Sequence, residues 1–174
     1  PLVQYEVKAG KDLHLELVKA FAALGYASYR LVPGLDLLVP FDAATPPDGF
    51  LLNLFCCKPD RAARLAAAGY LVEARSRTGS PAGARDWHSK LVNLPYAAQL
   101  AAGWERTVAA GKSRAVEEAL SLHAASREAS RPAAERFAAL EAGFTGLSNL
   151  CASEPAYLRL STLARLARDY GARG

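Results

Sequence analysis

Glu6 is the residue of this chain whose type and setting best suit acid–base or ligand-holding chemistry. It lies in the apolar run Leu2-Val3-Gln4-Tyr5-Glu6-Val7, where a carboxylate is costly unless it is paired or used. Lys8, Gly10 and Lys11 follow it. In an open α/β sheet, ligands bind beyond the carboxyl ends of parallel strands, and these four residues fall at such an end. A hydrogen-bonded or edge-exposed carboxylate accounts for Glu6 equally well, and Lys8 and Lys11 also read as ordinary loop charges. Among the other chemistry-bearing groups, Cys56 and Cys57 are adjacent on a strand-like run and are expected to point to opposite faces, while Cys151 stands alone. Neither spacing suits a metal, and the odd count argues against a secreted disulfide framework. The thiols are expected to be buried and reduced, in keeping with a cytoplasmic protein. His14, His88 and His123 are separated from one another and from the thiols, and read as surface or packing histidines. The chain has no nucleophile elbow, P-loop, GxGxxG, HExxH or paired-Cys motif.

The elements that position these residues change character along the chain. Residues 2–8 read as a strand covered on both faces, closed by Ala9-Gly10. Asp12 suits the N-cap of a helix carrying Leu13, Leu17, Phe21 and Leu24, and Gly25 suits its C′ position. Residues 26–32 and 35–40 flank Pro33-Gly34, a tight-turn signal. After a loop over 42–49, residues 50–57 form the most apolar strand candidate. Asp60 then suits the cap of a short helix ended by Gly69. Residues 73–95 read as a linker, because the stretch through Gly83 lacks any apolar period. Helices are predicted over 96–110 and 113–125. A third starts at Ser130 with Pro132 in its first turn, bearing Phe137, Leu140, Phe144 and Leu147. A fourth starts at Ser153 with Pro155 in its first turn. The last two are expected to pair antiparallel, in the manner of a tetratricopeptide-like unit.

Composition narrows the classes. With 174 residues, 51% hydrophobic and 22% charged, the chain is globular in type. No apolar run is long enough for a membrane span, and charges in the first dozen residues break any signal-peptide core. The net charge of +4 is unevenly spread: residues 1–60 carry five Lys/Arg against seven Asp/Glu, and residues 61–174 sixteen against ten. Most of the later cations are interleaved with carboxylates, and the densest basic stretch, Arg61, Arg64, Arg75, Arg77 and Arg85, lacks interleaved aromatics, so no nucleic-acid partner is expected. There is no Met, and strand-like sequence begins at Leu2. The chain is therefore expected to be a fragment of a longer protein.

The ordered series QYEVKAGKDLHLELVKAFAALGYASYRLVPGLDLLVPFD and FLLNLFCCKPDRA resembles the later part of FkbM-type S-adenosylmethionine-dependent methyltransferases. The corresponding features are Glu6 ending a strand, Gly25-Tyr26 opening the next, the Pro33-Gly34 hairpin and Asn53-Leu54-Phe55 in a final apolar strand. The resemblance covers about residues 1–70 of this chain. It implies the last three strands of a Rossmann-like sheet, one of them antiparallel and inserted. It also implies methyl transfer from S-adenosylmethionine to a hydroxyl of a small-molecule or sugar acceptor. The family's Gly-rich first turn, its acidic second-strand end and its Asp-Val-Glu-Gly-type motif have no counterpart here and would lie before Pro1. The helical tail is similar to extensions beside such domains in bacterial multidomain proteins.

The resulting expectation is an α/β region over 1–72, the C-terminal part of a Rossmann-like methyltransferase domain, then a linker over 73–95. An all-α region over 96–174 follows, built of helical hairpins. Glu6 is the candidate catalytic residue, and the isolated chain is expected to be inactive. The alternatives are a helical-repeat module that binds a protein partner and a glycosyltransferase-associated segment.

Overall fold

A computed structural model describes residues 1–9, 12–44, 52–72, 81–111 and 113–172. The chain divides into two compact units, Pro1–Arg75 with Gly171–Gly174, and Ser76–Tyr170.

The first unit is built on a four-stranded sheet of β1 (Leu2–Glu6), β4 (Ala27–Val32), β5 (Leu37–Pro40) and β6 (Asn53–Cys57), in the order β1-β6-β4-β5. Two further short strands, β2 (Lys8–Ala9) and β3 (Asp12–Leu13), form a separate hairpin. Every pairing in the four-stranded sheet is antiparallel, with Leu2 and Ala27 on either side of Cys57. Because β6 opposes both β1 and β4, those two strands run parallel to each other. β6 is thus an antiparallel strand lying between them.

Period-2 alternation explains why adjacent cysteines are both fully buried: Cys56 and Cys57 face opposite sides of a sheet covered on both. On one side α1 (Glu16–Ala23) sets the Phe21 ring 4.6 Å from that of Tyr5. On the other, α2 (Pro59–Ala67) packs Ala62 with Tyr29, Leu38, Cys57 and Leu71. Gly25 and Gly69 take φ near +79° just after these helices, the left-handed conformation expected of helix-ending glycines.

Three local expectations change. Asp12 lies in β3, where it pairs with Ala9, and the helix begins at Glu16. In the β4–β5 turn the left-handed residue is Asp36, with φ 53°, in place of Gly34; Asp tolerates this conformation better than most L-residues. Asp60 lies inside α2, bonded to Arg64 one turn on, and Pro59 fills the first turn where its missing N–H costs nothing. Gly10, Lys11 and most of the 42–49 loop lie outside the described residues, as does the start of the 50–57 run.

The second unit contains α3 (Trp87–Leu91), a 3-10 turn (Ala97–Gln99), α4 (Ala101–Ala109), α5 (Arg114–Ser126), α6 (Ala133–Ser153) and α7 (Tyr157–Tyr170). The expected 73–95 linker is corrected over 81–95. Asp86 caps α3 by accepting from the Ser89 N–H, and Trp87 and Leu91 enter the same apolar core as Trp104, Leu120 and Leu147. Two large apolar residues in a short helix have no strong period, so the burial is tertiary in origin. Residues 73–80 of the proposed linker lie outside the described residues.

The helix expected over 113–125 is present as α5, and Ser113 caps it by accepting from the Val116 N–H. The helix expected over 96–110 is broken at Leu100 into the 3-10 turn and α4. The start of α6 falls at Ala133, after Pro132, so Ser130 stays outside it. Ser153 closes α6 in place of opening the next helix. Pro155 disfavours helical geometry at the residue before it, and Glu154 accordingly leaves the helical region at φ −134° and ψ 70°. A Cβ on Gly143 would lie 3.3 Å from the Ala119 carbonyl oxygen, so this glycine marks the close approach of α6 to α5.

Candidate functional site

Glu6 stands exposed at the end of β1, opposite Asn53 in the register. The desolvation cost that singled it out is therefore not incurred: β1 alternates between exposed and half-buried positions, and Glu6 occupies an exposed one. His14 and His88 lie at the surface, paired with Glu16 and Glu105 respectively. The three cysteines are free and buried, and burial pushes each thiol above its ordinary pKa, which keeps it protonated and unreactive. Among the described residues no cluster of His, Cys, Asp and Glu could hold a metal. No helix there is long and apolar enough to cross a membrane.

The structure brings together a different group, in the second unit. His123 is 2% exposed and Asp169 8%, and the imidazole Nε2 lies 2.9 Å from Asp169 Oδ2. An ionised carboxylate only accepts, so Nε2 carries the proton and donates. Arg127, one turn after His123 and on the same face of the chain as it leaves α5, donates from Nη1 to the same Asp169 oxygen at 3.0 Å. Ser126 Oγ donates to the His123 carbonyl at 2.7 Å, and Arg136 Nε to the Ser126 carbonyl at 3.0 Å. The polar groups are thus tied into one network between the ends of α5, α6 and α7.

Tyr96 borders this network. Its hydroxyl is buried and has no hydrogen-bond partner among the described residues, and the Arg165 guanidinium lies 4.9 Å from its ring centroid. Burial, with a smaller push from the Asp169 carboxylate, raises the phenol from 10.0 to about 12, against the opposing pull of Arg127, Arg165 and Arg168. The group therefore stays a neutral donor.

Outside the network, Arg127 opens onto a recess of about 550 Å³, lined also by Lys90, Ala124, Glu128 and Ser130. Glu128 is held by Lys90 and by Arg131, whose hydrogen bonds lower its carboxyl below the usual range. A His–Asp pair is half of a general-base apparatus, and the other half is a nucleophile within reach of the imidazole. Here the neighbouring hydroxyl, Ser126 Oγ, is turned to the His123 backbone carbonyl. The arrangement instead fixes the direction of the Arg127 guanidinium.

In the sequence His123 reads as an isolated surface or packing histidine, because its carboxylate partner lies 46 residues away. One signal was available: His123 lies between Leu122 and Ala124-Ala125, apolar neighbours among which an unpaired buried imidazole is costly. The chain matches no protein-family model, no curated protein and no solved structure.

Proposed function

We propose that residues 1–72 are the C-terminal part of a Rossmann-like methyltransferase sheet, from an FkbM-like S-adenosylmethionine-dependent O-methyltransferase acting on a hydroxyl of a sugar or secondary metabolite. The observation that carries this reading is the strand order. β1 and β4 run parallel, joined through α1, and the last strand, β6, enters antiparallel between them. A hairpin strand, β5, extends the sheet beyond β4. The covering of both sheet faces by α1 and α2 is a second support, since open α/β sheets bury both faces.

The described residues of this unit do not fit a bound S-adenosylmethionine. At the carboxyl end of β1, Glu6 is a single exposed carboxylate, and β6 passes into α2 through Lys58 with no glycine between them. No step of the chemistry is assigned to them. On this reading the cofactor belongs to strands that precede β1 in the family's order.

Calorimetric titration of S-adenosylmethionine tests the proposal. The 174-residue chain is expected to show no binding, and the polypeptide encoded by the whole open reading frame to bind and to methylate a hydroxyl acceptor. Tight binding by the shorter chain, or none by the longer one, would overturn it.

A further inference from the structure

We infer that the recess beside Arg127 is a binding site for a small phosphorylated anion, independent of the methyltransferase reading. Three donors line it. Arg127 spends Nη1 on Asp169, and its other guanidinium N–H groups have no partner among the described residues. Ser130 Oγ likewise has none there. Lys90 supplies an ammonium with three donors, of which Glu128 takes one.

What distinguishes this recess from a chance meeting of surface charges is the layer behind it. The Arg127 side chain is 33% exposed, and its inner edge is anchored on a carboxylate that is itself buried and held by a buried imidazole. A guanidinium oriented in this way keeps its remaining fork aimed outward, the geometry that suits the paired oxygens of a phosphate. His123 and Asp169 therefore act on the recess by holding one edge of the Arg127 guanidinium in place.

Glu128 sets the resting state. It occupies Lys90 and Arg131, and an incoming anion exchanges with it for Lys90. The site therefore selects ligands whose charge exceeds that of one carboxylate, such as a phosphate monoester or a pyrophosphate. A recess of about 550 Å³ accommodates such a group with a sugar attached.

Inorganic pyrophosphate is the probe, titrated into the whole chain at constant ionic strength and followed by calorimetry and backbone amide NMR. Saturable binding is expected, with shifts at Lys90, Arg127 and Ser130. Arg127→Gln should weaken it about tenfold or more, the loss expected for a charge-assisted pair, and Arg127→Lys by less. Glu128→Gln should tighten it, by removing the competitor for Lys90. Unfolding curves for each variant separate loss of binding from loss of fold, and Lys90→Gln, at an exposed position, serves where an Arg127 variant fails to fold. Absence of saturable binding, binding unchanged in Arg127→Gln, or weaker binding in Glu128→Gln would overturn the inference.

Discussion

His123 Nε2 and Asp169 Oδ2 lie 2.9 Å apart and tie the last turn of α5 to the last turn of α7. Asp169 accepts from both His123 and Arg127, and these two donors do not lose equally when the carboxylate is removed. Arg127 can turn its guanidinium to solvent, whereas His123 cannot reach water without α7 moving. Asp169→Ala is therefore expected to destabilise the second unit by about 2–3 kcal/mol, the range for a charge-assisted bond whose partner is left buried. Asp169→Asn should cost less, because the amide oxygen still accepts. Urea unfolding midpoints of the two variants check the order.

Tyr96 predicts the opposite sign. Its buried hydroxyl makes no hydrogen bond among the described residues, so Tyr96→Phe removes an unsatisfied group and is expected to leave stability within about 1 kcal/mol of the parent, or to raise it. The pH dependence follows from the raised phenol. Between the ordinary value of 10.0 and the folded value of about 12, the folded state holds a proton that the unfolded state has released. Stability from this group is complete below pH 10 and is lost as pH rises through that window. Thermal melting from pH 9 to pH 12 should therefore fall more steeply in the parent than in Tyr96→Phe. Equal slopes would remove Tyr96 as the cause.

Trp104 and Thr162 form a second buried polar contact. The indole Nε1 donates to Thr162 Oγ1 at 2.9 Å, and that hydroxyl donates in turn to the Leu158 carbonyl at 2.6 Å. Thr162→Val keeps the shape and strands the indole N–H in a core position that is 1% exposed. The expected loss is about 1–3 kcal/mol. Thr162→Ser, which keeps the hydroxyl, should recover most of it in the same chemical-denaturation assay.

The two edges of the sheet differ. The β5 edge is closed by the segment 70–72, through Leu38 N–H to the Tyr70 carbonyl and Val72 N–H to the Leu38 carbonyl, both at 2.9 Å. Among the described residues, β1 pairs only with β6, and it carries neither Lys nor Pro. An open edge of this kind templates pairing with another chain. The 174-residue chain is expected to associate with rising concentration in light scattering, and Gln4→Lys, at an exposed edge position, to reduce that association. Association that is the same in Gln4→Lys would locate the contact elsewhere.

Much of the architecture was legible in local pattern. The β-rich runs ending at Val32 and Cys57, the helix-ending glycines at 25 and 69 and the helix start at Ser113 all lie where short-range chemistry requires them, whereas the strand expected over 2–8 ends at Glu6. These features depend on backbone conformation and on residues a few positions apart, which a linear sequence displays directly. Boundaries were less legible where two local signals compete. Ser153 could open a helix as a cap or end one, and the restriction that Pro155 imposes on Glu154 decided for the latter.

Glu6 and His123 mark the division between the two kinds of information. By itself the sequence determined that the chain passes from strands to helices, that Cys56 and Cys57 face opposite ways, and that no metal-ligand or nucleophile motif is present. Only the tertiary structure decided which polar residues are buried. Glu6 fell on the exposed side of an edge strand, while His123, Asp169 and Arg127 converged from separate stretches of the chain. The reason is physical: burial and charge pairing depend on which elements pack together, and helices joined by turns bring residues 46 positions apart to within hydrogen-bonding distance.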